Sequence, residues 1–373
     1  MSARLEVAVL GAGGTIAPAI VRDLAESDEV AGMRLLDLDE ERARAVADAH
    51  GGGKATPAAA DARSGLAAAI EGCDVLVNSA SYRINLDAMR ACLTAGCHYL
   101  DLGGLYHVTG RQLELYDEFE RAGLIAILGI GSSPGKTNVM AVAAVRALRE
   151  AGSDSVDALH VSAAGRDLDP PDGFSVPYAL RTLVDELTLS PVVVSDGVAR
   201  EIEPLMPGGR VPFAEPIGEA EAIHTLHSEL RTFPDSFGCT EASFRLSLAP
   251  ALLERLRDLV DASDSEIDAA ARGALPPSGQ TVSVHLVEGV GSDGAASVRV
   301  TAITRPMVEW GLGGGVVSTA APAAAAVRLL ARGRVEKRGV LPPERCIEPD
   351  DLFPELERRA CEFRIETGAA VSV

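Results

Sequence analysis

Three glycines, Gly11, Gly13 and Gly14, stand where an apolar run (Leu5, Val7, Val9, Leu10) ends and a helical pattern over 16–26 begins. Strand, tight turn and helix in that order set a helix N-terminus, with its unpaired N–H groups and positive dipole end, against a pyrophosphate. A second apolar run, 33–36, ends at Asp37, about 20 residues beyond the glycines, where a carboxylate accepts from adenosine ribose hydroxyls. The spacing predicts a dinucleotide cradle of Gly11, Gly13, Gly14, Thr15, Ile16 and Asp37, with NAD the expected cofactor and NADP the alternative. Ile16 departs from G-x-G-x-x-G, whose last position takes Gly or Ala for close helix–strand packing. Gly14 is expected to compensate by letting the chain approach the phosphates one residue earlier.

Other chemistries are weaker. Gly135-Lys136-Thr137 ends like a phosphate loop, but the glycine that a Walker A loop needs five residues earlier is Ile130. His224 and His227 with Glu229 offer metal ligands without the inserted glutamate of a zinc helix, so no metal site is expected. No G-x-S-x-G elbow is present for acyl transfer. Along 242–248, alternation places Arg245 on one face with Ser243 and Ser247, open either to solvent or to an anion.

The elements that position these groups alternate strand and helix, the signature of a doubly wound parallel sheet. Helices are expected over 39–50, 62–71, 84–95 and 112–121, and strands over 58–60, 74–77, 98–100 and 124–128. The carboxyl edge of such a sheet binds ligands. It would carry Gly11, Asp37, Asp61, Asn78, Ser79, Ala80, Tyr82 and Asp101. A sharp Pro134-Gly135 turn and a helix over 139–151 lead into a different texture. Strands are expected over 156–161, 242–248, 281–289 and 295–303, the last two joined by a hairpin at 291–294, with helices over 174–187 and 250–260. This is a mostly antiparallel α+β pattern. Glycines at 311–315 read as a flexible joint, and an alanine-rich helix over 323–331 returns to the first domain. The expected fold class is α/β: a Rossmann-type domain, 1–134 with 316–373, and a second α+β domain, 135–315.

Composition bounds the partners. A chain of 373 residues accommodates two cores, and 34 Lys+Arg against 54 Asp+Glu argue against nucleic acid or an anionic membrane as partner. Six scattered cysteines without a C-x-x-C pair fit reduced thiols in a cytoplasmic protein. The first strand lies close to Met1, leaving no room for a signal peptide, and no apolar run is expected to span a membrane.

VLGAGGTI, CDVLVNSASYRINLDAMRACLTAGCHYLDL, LGIGSSPGKTNV, SFRLSL and TAAPAAAAVRLLARGRVEKRGVLPPE together resemble the saccharopine dehydrogenase-like oxidoreductases. That group includes saccharopine reductases, carboxynorspermidine dehydrogenases and lysine 6-dehydrogenases. The resemblance implies a Rossmann domain, an inserted substrate and dimerisation domain, a homodimer, and hydride transfer at a carbon–nitrogen bond of an amino-acid derivative. It implies that Tyr82 and Arg83 border the substrate cleft and that Arg245 grips a substrate carboxylate, a task suited to a bidentate guanidinium. The Pro134-Gly135 turn and Asn138 would lie near the reacting carbon, with Tyr178 in the same cleft. Two departures from saccharopine reductases are Ser133, where they carry aspartate, and Ala164, where they carry cysteine. Tyr82, Lys136, His98 and Asp101 are the candidate proton relays, and Arg83, Arg166 or Arg181 could bind a second carboxylate. Two alternatives stay open: a lysine 6-dehydrogenase-like oxidative deaminase and a non-catalytic NAD(H)-binding regulator.

Overall fold

The computed structural model describes residues 4–292, 294 and 296–369. Part of the expected 291–294 hairpin and the start of the 295–303 strand fall on residues 293 and 295, outside the described residues. The chain divides into two compact units: residues up to Lys136 with Thr319–Leu356, and Thr137–Ser318 with the segment from Glu357 onward.

The first unit is a seven-stranded sheet, parallel throughout, in the order Gly339–Leu341, Ile125–Ile127, His98–Asp101, Val75–Asn78, Leu5–Leu10, Val30–Asp37, Ala55–Ala59. Its central strands are continuous apolar runs because helices cover both faces of a parallel sheet. Val7, Ala8, Val9, Val75, Leu76 and Val77 are all fully buried. The strand order reverses between Leu5–Leu10 and Val75–Asn78, which opens a ligand crevice at their carboxyl ends. Helix Glu40–His50 is fixed by its Asp39 cap, whose carboxylate accepts from the Glu41 and Arg42 N–H groups. The helix expected over 112–121 is two helices, Leu105–Leu113 and Tyr116–Arg121.

The second unit is a mixed sheet. The strands run Pro207–Pro212, Glu219–His224, Glu241–Ser247, Val156–Asp167, Thr281–Gly291, Ala296–Thr304 and Cys361–Ala369, with Val192–Ser195 and Val198–Glu201 attached to Glu241–Ser247. Among the described residues only Glu241–Ser247 and Val156–Asp167 pair in parallel; the other neighbours are antiparallel.

Four expectations change. The returning segment is split, because Cys361–Ala369 pairs with Ala296–Thr304 and so belongs to the second unit's sheet. The glycines at 311–315 are a close-packed helix start: helix Gly314–Ala331 begins inside them. A Cβ on Gly313 would stand 2.2 Å from Thr281 Oγ1, and one on Gly314 2.3 Å from the Thr304 carbonyl oxygen. This helix is long and apolar enough to cross a membrane, contrary to the sequence expectation, but 83% of it is buried in the protein. Its Arg328, itself buried, pairs with Asp23 at 2.8 Å and Glu355 at 2.7 Å within the first unit. Lastly, the helix expected over 174–187 starts only at Leu180, after Pro177. Tyr178 therefore lies in the preceding segment rather than on the helix.

Candidate functional site

In the first unit the glycine turn is shaped by close backbone approach. Gly11 has φ +77°, and a Cβ there would lie 2.7 Å from the Ala80 backbone. A Cβ on Gly13 would lie 2.7 Å from Arg42 Cβ and 3.1 Å from Asp37 Oδ2, and one on Gly14 3.1 Å from the Gly11 carbonyl oxygen. Only glycine leaves this turn open to a phosphate. The N–H groups of Thr15 and Ile16 make no hydrogen bond among the described residues and precede helix Ala17–Ala25. Ile16 is a buried residue of the turn, and the helix starts one residue later at the fully buried Ala17. The missing third glycine is thereby accommodated.

Asp37, at the end of its strand, accepts from the Gly13 N–H at 2.8 Å and the Asp39 N–H at 3.1 Å. Arg42 reaches across to donate to the Gly13 carbonyl, so a guanidinium stands near the Asp37 carboxylate. Sequence reasoning passed over Arg42, although its place on the helix following Asp37 was the available signal. Ser79 donates from Oγ to the Leu10 carbonyl at 2.8 Å, and Ala80 donates from its N–H to Asn78 Oδ1 at 3.1 Å. Asp61 is exposed and accepts from the Arg63 N–H at 2.9 Å, closing a local turn.

Asp101 differs from its expected role. It is 1% exposed. Oδ1 accepts from the N–H groups of Gly129 at 2.7 Å and Gly103 at 2.9 Å; Oδ2 accepts from Gln112 at 2.6 Å and Asn85 at 3.1 Å. Burial pushes its carboxyl above the ordinary range, against the pull of these donors. Asn78 joins the same interior network through Asn85 and Tyr99. Both residues hold the strand ends together, and neither presents a free polar atom to a cofactor or a proton.

Tyr82 is half-buried in a short 3₁₀ turn, and the exposed Arg83 lies over its ring at 5.9 Å. The Ser133–Pro134 bond is cis, Ser133 is half-buried, and Lys136 and Asn138 are buried at the start of helix Lys136–Glu150. Burial and a neighbouring Arg338 hold the His98 imidazole below its ordinary value, and its Nδ1 accepts from the Ile125 N–H at 3.1 Å.

In the second unit, Arg245 is held by Glu288 at 3.2 Å, which also pairs with Arg299 at 2.9 Å. The Nε atoms of both arginines are sealed without a partner. Arg166 is bonded to Ser247, and Arg181 is paired with Asp264 and Asp268. Phe244, beside Arg245 in the strand, points to the other face by alternation and stacks on His227 at 3.5 Å between ring centroids. That second face gathers groups the sequence kept apart. His227 Nδ1 lies 2.9 Å from Glu229 Oε2, Thr137 Oγ1 donates to Glu229 Oε1 at 2.8 Å, and Tyr178 donates to Glu186 Oε2 at 2.5 Å. Burial works against the charge on His227, but Glu229 and Glu186 outweigh it and raise the imidazole's value; Glu229 is held low in turn. His224 does not join as a ligand: among the described residues no three His, Cys, Asp or Glu side chains gather around a metal position.

Residues 7–127 match the family described as the saccharopine dehydrogenase NADP binding domain. The first unit is similar to that domain over those residues. Carboxyaminopropylagmatine dehydrogenase of Synechocystis sp. is 27% identical over 212 residues, 53% of this chain and 50% of that protein. The alignment thus spans about half the length of the curated relative. The fold is shared with saccharopine dehydrogenase (L-Glu forming) from Saccharomyces cerevisiae, at a TM-score of 0.71 and 17% identity over 98% of this chain and 100% of that one. Together with the glycine turn, these matches make the first unit an NAD(P)-binding Rossmann unit.

Proposed function

We propose that the protein is an NAD(P)-dependent oxidoreductase that interconverts an amine and an imine at a carbon–nitrogen bond of an amino-acid derivative. The observation that carries this reading is the cradle at the strand ends: Gly11 pressed against Ala80, unpaired N–H groups at Thr15 and Ile16, and Asp37 at the end of the next strand, bonded to the Gly13 N–H. A nicotinamide cofactor supplies hydride transfer; the residues of the chain hold its phosphates and ribose. The names of the two relatives support the carbon–nitrogen assignment, since saccharopine and carboxyaminopropylagmatine each join two units through a secondary amine.

NAD is the proposed preference, because the Asp37 carboxylate repels a 2′-phosphate where it welcomes hydroxyls. Arg42 is the one feature at that corner that favours the phosphate. Arg245 is the proposed carboxylate grip, with Glu288 the group a substrate carboxylate would displace. The chain is proposed to act as a homodimer, which light scattering on the purified protein decides.

The deciding experiment follows nicotinamide absorbance with saccharopine, lysine, ornithine and carboxyaminopropyl-polyamine conjugates, using NAD and NADP, before and after Arg245→Ala. Turnover of one amine, lost on that substitution, supports the reading and names the substrate. Tight NADH binding without turnover of any amine would point to a non-catalytic NAD(H) binder.

A further inference from the structure

The mixed sheet of the second unit ends on strands of two kinds. Pro207–Pro212 is blunted as an edge: a proline stands at each end, two glycines lie inside it, and its register slips between Pro207 and Gly209. Val198–Glu201 is only four residues long. Short strands, prolines and bulges are devices that keep a sheet edge from pairing with another chain. Cys361–Ala369 has none of them. It is nine residues long, contains no proline, and pairs with Ala296–Thr304 in unbroken register, from Thr304 opposite Cys361 to Ala296 opposite Ala369. Among the described residues it is the last strand on that side of the sheet, and every second residue of such a strand turns its N–H and C=O away from the ladder. The residues from Arg364 to Gly368 are exposed. Ile365 keeps 49% of its surface open, although its neighbour across the ladder, Val300, is fully buried.

The charges on this strand guard it against most neighbours but not against itself. Glu362, Arg364 and Glu366 lie on one face, and Phe363, Ile365 and Thr367 on the other. A second copy laid antiparallel about a two-fold axis at Ile365 uses all nine residues of each strand. Ile365 then meets Ile365, Phe363 meets Thr367, and Arg364 of each copy meets Glu366 of the other. An axis at Arg364 would set arginine on arginine and Glu362 on Glu366, and an axis at Glu366 would set glutamate on glutamate. An axis at Phe363 would join only the stretch from Cys361 to Ile365. Opposite charges directly across a ladder stabilise it, and like charges oppose it. Within one copy Arg364 pairs with Glu362 at 2.6 Å, while Glu366 has no ion pair among the described residues. The second copy supplies one.

We propose that Cys361–Ala369 is the interface through which two copies of this chain join, antiparallel and centred on Ile365, so that their mixed sheets become one continuous sheet. The proposal rests on the homodimer reading and gives it a surface, at 361–369 and beyond the inserted stretch 135–315.

The test uses the full chain. Sedimentation velocity over about 1 to 100 μM follows the monomer–dimer equilibrium of the wild type, Arg364→Glu, Glu366→Arg and the double reversal. Each single reversal places a like-charge pair on both sides of the axis and is expected to weaken dimerisation by about tenfold or more. The double reversal restores opposite charges and should return to within about threefold of the wild type. Should a variant not fold, hydrogen exchange of the wild type decides: the amides of 361–369 should exchange more slowly where the protein is dimeric than where it is diluted to monomer. Exchange there that is independent of concentration overturns the proposal. Wild-type dimerisation in either single variant, or a double variant as weak as the singles, also overturns it and leaves the homodimer reading standing. A wild type that stays monomeric throughout removes that reading, and the proposal falls with it.

Discussion

Asp101 and His227 anchor two buried polar networks with opposite endings. Asp101 spends both oxygens on four donors, two of them backbone N–H groups on different loops. His227 belongs to a chain of similar burial, Thr137 to Glu229 to imidazole, but that chain stops at an unbonded nitrogen. Complete satisfaction rigidifies a fold; a network that ends on a free atom has something left to offer a ligand. In the sequence, Asp101 sits at a strand end where ligands bind and His227 in a weak metal pattern.

The largest expected effect separates them on stability. Asp101→Ala strands four donors inside the first unit and should cost about 3 kcal/mol or more. Denaturant melts measure that loss. If the role is purely structural, the fraction still folded binds NADH with unchanged Kd; a weakened Kd at full folding would break the comparison. Next comes the cradle. Gly11→Ala forces a side chain into a left-handed backbone and against Ala80, and NADH affinity measured by calorimetry should fall by about 10- to 100-fold.

Why one network was misread and the other missed is a matter of distance along the chain. The first unit was legible because its signals are local: an apolar run, a glycine turn and Asp37 lie within one βαβ segment. The parallel sheet follows from that repeated pattern. The second unit hides its signals. Pro207–Pro212 and Val198–Glu201 are mostly exposed strands with no apolar alternation to betray them, and helix Glu229–Phe237 carries Pro234 inside it. Thr137 and Glu229 are 92 residues apart, so no spacing rule connects them. The glycines at 311–315 show the same limit. Composition signals freedom at such a run, but the cause is the Thr281 hydroxyl and the backbone of Thr281 and Thr304 pressing on it. Nothing in the sequence distinguished those cases.

A third expectation concerns pH. Glu229 is held below its ordinary value of 4.5, so its contribution to stability is present above that pH and is lost as pH falls through the lowered value. His227 is raised above 6.5, so its contribution is full below that pH and is lost as pH rises through the raised value. The pair therefore stabilises the fold most between about 4.5 and 6.5. The stability gap between wild type and His227→Asn should be widest in that window and narrow at higher pH. A gap independent of pH would mean that His227 contributes packing on Phe244 and no charge. Smaller again is the cofactor corner: Asp37→Ser should raise NADPH affinity relative to NADH by about tenfold, and Arg42→Ala should lower it, as paired titrations would show.

The smallest expected effect is the most discriminating. Tyr178→Phe removes the hydroxyl that donates to Glu186 and little else, so its stability cost should stay within about 1 kcal/mol. Burial already raises the Glu186 carboxyl, and the Tyr178 hydroxyl is one of the groups resisting that rise. Without it Glu186 becomes harder to ionise and gives less support to the charge on His227. The His227 midpoint should then fall, by less than in Glu229→Gln, because Glu229 acts on the imidazole both as a charge and as a hydrogen-bond partner while Glu186 acts as a charge alone. An unchanged midpoint would show that Tyr178 and Glu186 form a separate pair, and that the open-ended network is only the chain from Thr137 to His227.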